Sequence, residues 1–129
     1  MRVKSALSII AFTAVVAFAG PVWAEGDAAN GEKVFRKCKA CHAVEEGKNK
    51  VGPSLHKIVG RTAGTVDGFK YSNAMQAYGA AGNMWDEATL DAYLEAPKKV
   101  VDGTKMAFAG LKKPEERADV IAYLKQQTE

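Results

Sequence analysis

The chain has 129 residues, with 18 Lys and Arg against 15 Asp and Glu and only two cysteines. That length suits one compact domain and excludes two. A formal charge of +3 gives no broad basic surface, so no nucleic-acid partner is expected.

The first 24 residues differ from the rest. Arg2 and Lys4 give a positive start, residues 6–19 are apolar apart from Ser8 and Thr13, and Gly20-Pro21 breaks any helix before Val22-Trp23-Ala24. This is the basic, apolar and small-residue order of a secretory leader, predicting cleavage after Ala24, a domain over 25–129 and a periplasmic location. The plainer reading is an uncleaved anchor, but the apolar run falls short of the roughly 20 residues a spanning helix needs. No permanent membrane anchor is expected. Cleavage would remove two basic residues and no acid, leaving 16 Lys and Arg against 15 acids. Acids concentrate in residues 86–95 and at Glu115, Glu116 and Asp119, whereas bases crowd 36–39, 48–50, Lys98, Lys99, Lys105, Lys112 and Lys113. One positive face is predicted.

Asp27 can cap a first helix carrying Gly31, Val34, Phe35 and Cys38 on one face. That helix delivers Cys38-Lys39-Ala40-Cys41-His42, which holds both cysteines. A disulfide, a redox dithiol, and a zinc site built from Cys38, Cys41, His42 and His56 are the alternatives. The zinc reading needs adjacent Cys41 and His42 both to ligate. Covalent haem attachment uses the whole pattern: both thiols add to the vinyl groups, and the following His sits beneath the iron.

Gly52-Pro53 and Gly60 make the next segment loop, and Met75 lies in a short helix. A helix over 86–96 turns Leu90, Tyr93 and Leu94 inward and stops at Pro97. The last begins at Pro114, has Glu115 and Glu116 in its first turn, and buries Val120, Ile121 and Leu124. No strand-like alternation occurs. The expected fold is all-α, three main helices plus short ones, with long loops around something large and apolar. A His-ligated electron carrier needs a second ligand, and Met75, Met84 and Met106 are the candidates outside the initiator. Met106 stands in a glycine-bounded loop, 102–110, able to wrap a flat cofactor, whereas the other two are read as core filler.

With these residues in place, the chain resembles the class I cytochrome c family of mitochondrial cytochromes c and bacterial cytochromes c2. The resemblance covers residues 26–128. It rests on the attachment motif, Gly52-Pro53-Ser54-Leu55-His56, Gly60-Arg61, Trp85, Tyr93-Leu94-Glu95-Ala96-Pro97-Lys98-Lys99, Gly103-Thr104-Lys105-Met106-Ala107-Phe108-Ala109-Gly110 and Ile121-Ala122-Tyr123-Leu124. It implies one covalent haem c, with Cys38 and Cys41 as thioether anchors and His42 and Met106 as axial ligands. It further implies a hydrogen bond from His42 to the Pro53 carbonyl. Arg61, Tyr71 and Trp85 match propionate-holding positions, and Tyr93, Thr104 and Phe108 match the haem surroundings. Gly31 and Tyr123 match a crossing of the first and last helices. Lys37, Lys39, Lys99, Lys105 and Lys112 match a docking rim around the haem edge. The plainer readings are a surface cation for Arg61, a histidine bonded to backbone for His56, and solvated surface for the lysines.

The function implied is that of a monomeric, non-enzymatic one-electron carrier. Its donor is a cytochrome bc complex and its acceptor a terminal oxidase or a photosynthetic reaction centre. A haem enzyme or gas sensor with an open sixth position is the rival, and a permanently bound subunit a third reading. The chain departs from mitochondrial members at Asp102, where they have proline, and at Met75, where they have asparagine. Three residues are also inserted around 80–82. Without the fixed φ of proline, Met106 is expected to leave iron more readily at high pH.

Overall fold

The computed structural model describes residues 14–17 and 25–127. The leader expected over 1–24 lies outside the described residues except at 14–17. Among the described residues, no helix is long and apolar enough to cross a membrane.

Among the described residues five helices follow one another: α1 (Ala28–Phe35), α2 (Asn73–Ala80), α3 (Glu87–Glu95), α4 (Pro97–Val100) and α5 (Pro114–Gln126). Local chemistry sets their starts. The Asp27 carboxylate accepts from the amides of Ala29 and Asn30, Ser72 accepts from Met75 and Asp86 from Thr89, each satisfying a helix-end donor. Pro114 opens α5, where its missing N–H costs no helical bond. One boundary differs from the sequence reading, and one helix start was not foreseen. The first helix stops at Phe35, short of Cys38, because Lys37 and Cys38 donate to Val34 and Phe35 three residues back; the attachment motif therefore sits in turns. Pro97 ends α3 and also starts α4, the residue before it, Ala96, being non-helical (φ −155°, ψ 84°).

The frame is the crossing of α1 and α5. A Cβ on Gly31 would stand 1.9 Å from the Asp119 carbonyl oxygen and 2.8 Å from Tyr123 Cβ, so only glycine permits this approach. Phe35 packs on Tyr123 with ring centroids 5.3 Å apart, and the Asp27 amide donates to Asp119 Oδ1 at 2.7 Å. The expected Gly31–Tyr123 crossing is present. Phe35, Trp85, Leu90, Tyr93, Leu94, Val101, Leu111, Val120, Ile121 and Leu124 form one buried core. Segments 60–63 and 83–85 pair through Gly60 N to Trp85 O, Trp85 N to Arg61 O and Ala63 N to Asn83 O. Among the described residues this pairing leaves only an isolated antiparallel bridge, Thr62 to Met84.

Candidate haem site

Cys38 is half-buried and Cys41 exposed, and both thiols are free. Burial pushes the Cys38 thiol up, with Lys37 opposing and Cys41 adding to it. Beside them, His42 Nδ1 lies 2.8 Å from the Pro53 carbonyl oxygen. A carbonyl only accepts, so Nδ1 carries the hydrogen and Nε2 keeps a free lone pair. Burial lowers the His42 pKa against the raising effect of that carbonyl, and Lys50 lowers it further. The ring is therefore neutral near pH 7, the form that ligates a metal.

The loop after the motif is folded back on it. Gly52 N donates to Cys41 O at 2.7 Å, Leu55 N to Ala43 O at 2.8 Å, and Lys50 Nζ to the Lys39 carbonyl. A Cβ on Gly52 would stand 2.3 Å from His42 Cε1, so the ring occupies the space of that missing side chain. Asn49 holds this loop together, accepting from Ser54 N at 2.9 Å and donating to Asp67 O at 3.0 Å.

Arg61 is not an ordinary surface cation. Its Nη1 donates to His56 O at 2.7 Å and Nη2 to Ser54 O at 3.1 Å, while Nε is buried without a partner among the described residues. A guanidinium N–H left so is costly unless an anion accepts from it, and a haem propionate supplies that chemistry. Tyr71 lies near enough to oppose the lowering that burial imposes on Arg61. Its hydroxyl oxygen accepts from Val66 N at 3.1 Å, leaving the hydrogen to donate. Trp85 is buried between Tyr93 and Tyr78, centroids 4.8 and 5.7 Å away, and its backbone is bonded to Arg61. Arg61, Tyr71 and Trp85 thus meet in one region. His56 contributes its carbonyl to Arg61 and its amide to Ser54 Oγ at 3.2 Å. Among the described residues its ring makes no hydrogen bond, so the expected backbone bond of that ring is absent and the main chain has the structural role.

On the other side, the Tyr93 hydroxyl and Thr104 Oγ1 are 2.9 Å apart, and the Met106 amide donates to the same Oγ1 at 3.3 Å. Burial raises the Tyr93 pKa, partly offset by Thr104. Met106 and Phe108 are half-buried against the core. Met75 is sealed in the core at 8 % exposure, as core filler should be, whereas Met84, bridged to Thr62 and 48 % exposed, is not core filler. The zinc reading fails on assembly: among the described residues, no three His, Cys, Asp or Glu side chains gather to hold a metal ion. The two free thiols, the available Nε2 and the unpartnered Arg61 Nε fit a covalent haem.

The five rim lysines divide. Lys37 pairs with Glu116 at 3.2 Å and Lys112 donates to the Glu95 carbonyl at 2.7 Å. Lys39, Lys99 and Lys105 are exposed, and none forms an ion pair among the described residues.

Two structural residues escaped the sequence reading. A Cβ on Gly79 would lie 1.9 Å from Ala63 O, while one on Gly110, already read as a loop boundary, would lie 2.1 Å from Glu95 O. Arg117, buried in α5, pairs with Asp91 at 2.7 Å. The usable signals were a glycine inside a helical run and an arginine at an inward position.

The chain is similar to known proteins along most of its length. The cytochrome c family model matches residues 28–128. Cytochrome c2 of Rhodomicrobium vannielii is 50% identical over 123 residues, covering 95% of this chain and 96% of that protein. Cytochrome c2 of Agrobacterium tumefaciens is 54% identical over 101 residues, 78% of this chain and 91% of that one. Among solved structures, cytochrome c2 from Rhodospirillum centenum superposes with a TM-score of 0.75 at 43% identity, covering 81% of this chain and 100% of that one. Cytochrome cH from Methylobacterium extorquens gives 0.71 at 49%, covering 78% and 99%. Members carry covalent haem c and transfer electrons without being enzymes, which removes the peroxidase-like reading. The chain belongs to the cytochrome c family and has its fold.

Proposed function

We propose that this chain is exported through a leader of residues 1–24, cleaved after Ala24, and works in the periplasm as a monomeric one-electron carrier. It takes electrons from a quinol-oxidising cytochrome bc complex and delivers them to a terminal oxidase or a photosynthetic reaction centre. The observation carrying the reading is the pairing of two free thiols with a His42 ring held through Nδ1 and open at Nε2. The match to the Rhodomicrobium cytochrome c2 spans 95% of the chain, so it takes in most of the leader.

Cys38 and Cys41 are assigned as thioether anchors, His42 and Met106 as axial ligands, and Arg61, Tyr71 and Trp85 as propionate partners. Haem c supplies reversible exchange between ferric and ferrous iron. The protein residues keep that exchange low in reorganisation. Pro53 fixes the His42 ring and strengthens it as a donor. Thr104 and Tyr93 hold the Met106 backbone in place. The apolar core beside Met106 and Phe108 limits water. Lys39, Lys99 and Lys105 provide a positive rim that steers acidic partners into short-lived contacts.

Stopped-flow reduction by a purified cytochrome bc complex tests the reading. The second-order rate should fall as salt rises, and Lys39→Glu, Lys99→Glu and Lys105→Glu should each slow it at low salt. A rate indifferent to both salt and these charges would reject the docking face. No reduction at all would reject the donor.

A further inference from the structure

The loop carrying Met106 is tied to the rest of the main chain at its two ends. Upstream, Val101 N bonds to Pro97 O, Thr104 N to Val101 O, and Thr104 Oγ1 meets the Tyr93 hydroxyl. Downstream, Leu111 N donates to Leu94 O at 2.7 Å. Between them, no residue from 105 to 110 takes part in a backbone–backbone hydrogen bond among the described residues. Gly103 and Gly110 stand at φ 92° and 106°, pivots that other residues adopt with strain. The Met106 amide reaches only Thr104 Oγ1, at 3.3 Å, a group that belongs to the upstream fastening, so the reach of the Met106 thioether depends on where the two ends are pinned.

The downstream end has a second fastening from another element. Arg117 of α5, only 6 % exposed, donates through Nη1 to the carbonyls of Leu111 at 2.9 Å and Lys112 at 3.3 Å. Its Nε donates to Asp91 Oδ1 of α3 at 2.7 Å. A buried guanidinium is tolerated when its charge is paired and its donors are used, and these contacts pair the charge and use Nε and Nη1. One side chain thereby ties the end of the loop to α3 and α5 together. A Lys ammonium can keep the ion pair with Asp91 but lacks the planar fork that spans both the carboxylate and the carbonyls.

We propose that Arg117 is a positioning residue for Met106, holding the downstream end of the loop and so limiting how readily the thioether yields its place to another ligand. The proposal rests on the assignment of Met106 as axial ligand. It concerns a residue that touches neither iron nor porphyrin.

The test is imidazole titration of the ferric holoprotein at fixed pH, following the far-red sulfur-to-iron absorption band, with melting temperature measured in parallel. Arg117→Lys should bind imidazole about tenfold more tightly than wild type, the scale of one lost charge-assisted hydrogen bond. Asp27→Ala removes the cap of α1, away from the loop, and lowers melting temperature. It should leave imidazole affinity within twofold of wild type. Equal tightening in both variants for equal loss of melting temperature would reduce the effect to general destabilisation and overturn the proposal. Met106→Ala separates the two levels. If that variant keeps the band, the ligand assignment falls and the proposal with it. If it loses the band while Arg117→Lys binds imidazole as wild type does, Arg117 alone is overturned.

Discussion

The Pro53 carbonyl oxygen stands 2.8 Å from His42 Nδ1, and Gly52, just before it, leaves room for the same ring. The two contacts act together, one fixing which nitrogen carries the hydrogen and the other where the ring plane lies. A methyl group on Gly52 would meet Cε1 at 2.3 Å and Nδ1 at 2.7 Å. Gly52→Ala is therefore expected to push the ring away from Pro53 and to destabilise the holoprotein by about 1–3 kcal/mol. Weakening the bond at Nδ1 also makes the imidazole a poorer donor to ferric iron, so the reduction potential should rise. Denaturant titration and redox potentiometry read the two effects, and no change in either would mean that the ring moves freely.

Arg61 offers a test of the propionate assignment. Replacing it with Met removes a half-buried cation and its unpartnered Nε. The holoprotein should lose about 1–3 kcal/mol, as for a hydrogen bond to a charged group. Loss of a nearby positive charge favours ferric iron, so the potential should drop. It should also become pH-dependent. Without Arg61 the propionate pKa rises, and deprotonation with increasing pH then lowers the potential further. A flat pH profile equal to that of wild type would remove Arg61 from the propionate site.

Asp102→Pro addresses the loop before Met106. Val101 is extended (φ −123°, ψ 92°), the region that a following proline prefers. Among the described residues, the Asp102 amide donates no hydrogen bond that proline would lose. The substitution should stabilise by about 0.4–1 kcal/mol through the unfolded chain. It should also raise the pH at which the sulfur-to-iron band disappears, as Lys98, Lys99 or Lys105 displaces Met106. Equal midpoints in the two proteins would reject this.

Lys57 is the one non-glycine residue at positive φ, 51°, among the described residues. A left-handed conformation costs a side-chain-bearing residue about 1–2 kcal/mol, partly offset by the greater chain entropy of glycine. Lys57→Gly should therefore stabilise by about 0.5–1 kcal/mol. Calorimetry should find a melting temperature higher by a few degrees. A lower one would show that the lysine side chain makes a compensating contact.

What the sequence disclosed was whatever is local. Asp27 and Asp86 cap helices within three residues of themselves, and Pro114 fixes the start of α5 by its own ring. Cys38, Cys41 and His42 carry their meaning in five consecutive positions. Gly79 and Arg117 were silent because the groups that demand them, Ala63 O and Leu111 O, arrive from other parts of the chain, and Gly52 was legible as a loop former but not as the space for the His42 ring. Cys38 was placed in a helix by spacing alone. The helix stops earlier because the amides of Arg36, Lys37 and Cys38 bond to carbonyls three residues back, giving way to turns, which hydrophobic periodicity does not register. The rim lysines matched as a set of five, but Glu116 and the Glu95 carbonyl take two of them.

The visible spectrum of the purified, oxidised protein, recorded with the intact mass of the wild type and of Met106→Ala, decides both haem attachment and Met106 ligation. Both proteins should gain the mass of one haem, and the wild type should show a weak far-red sulfur-to-iron band that is lost in Met106→Ala. Bare polypeptide, or a band unchanged by the substitution, would contradict these assignments.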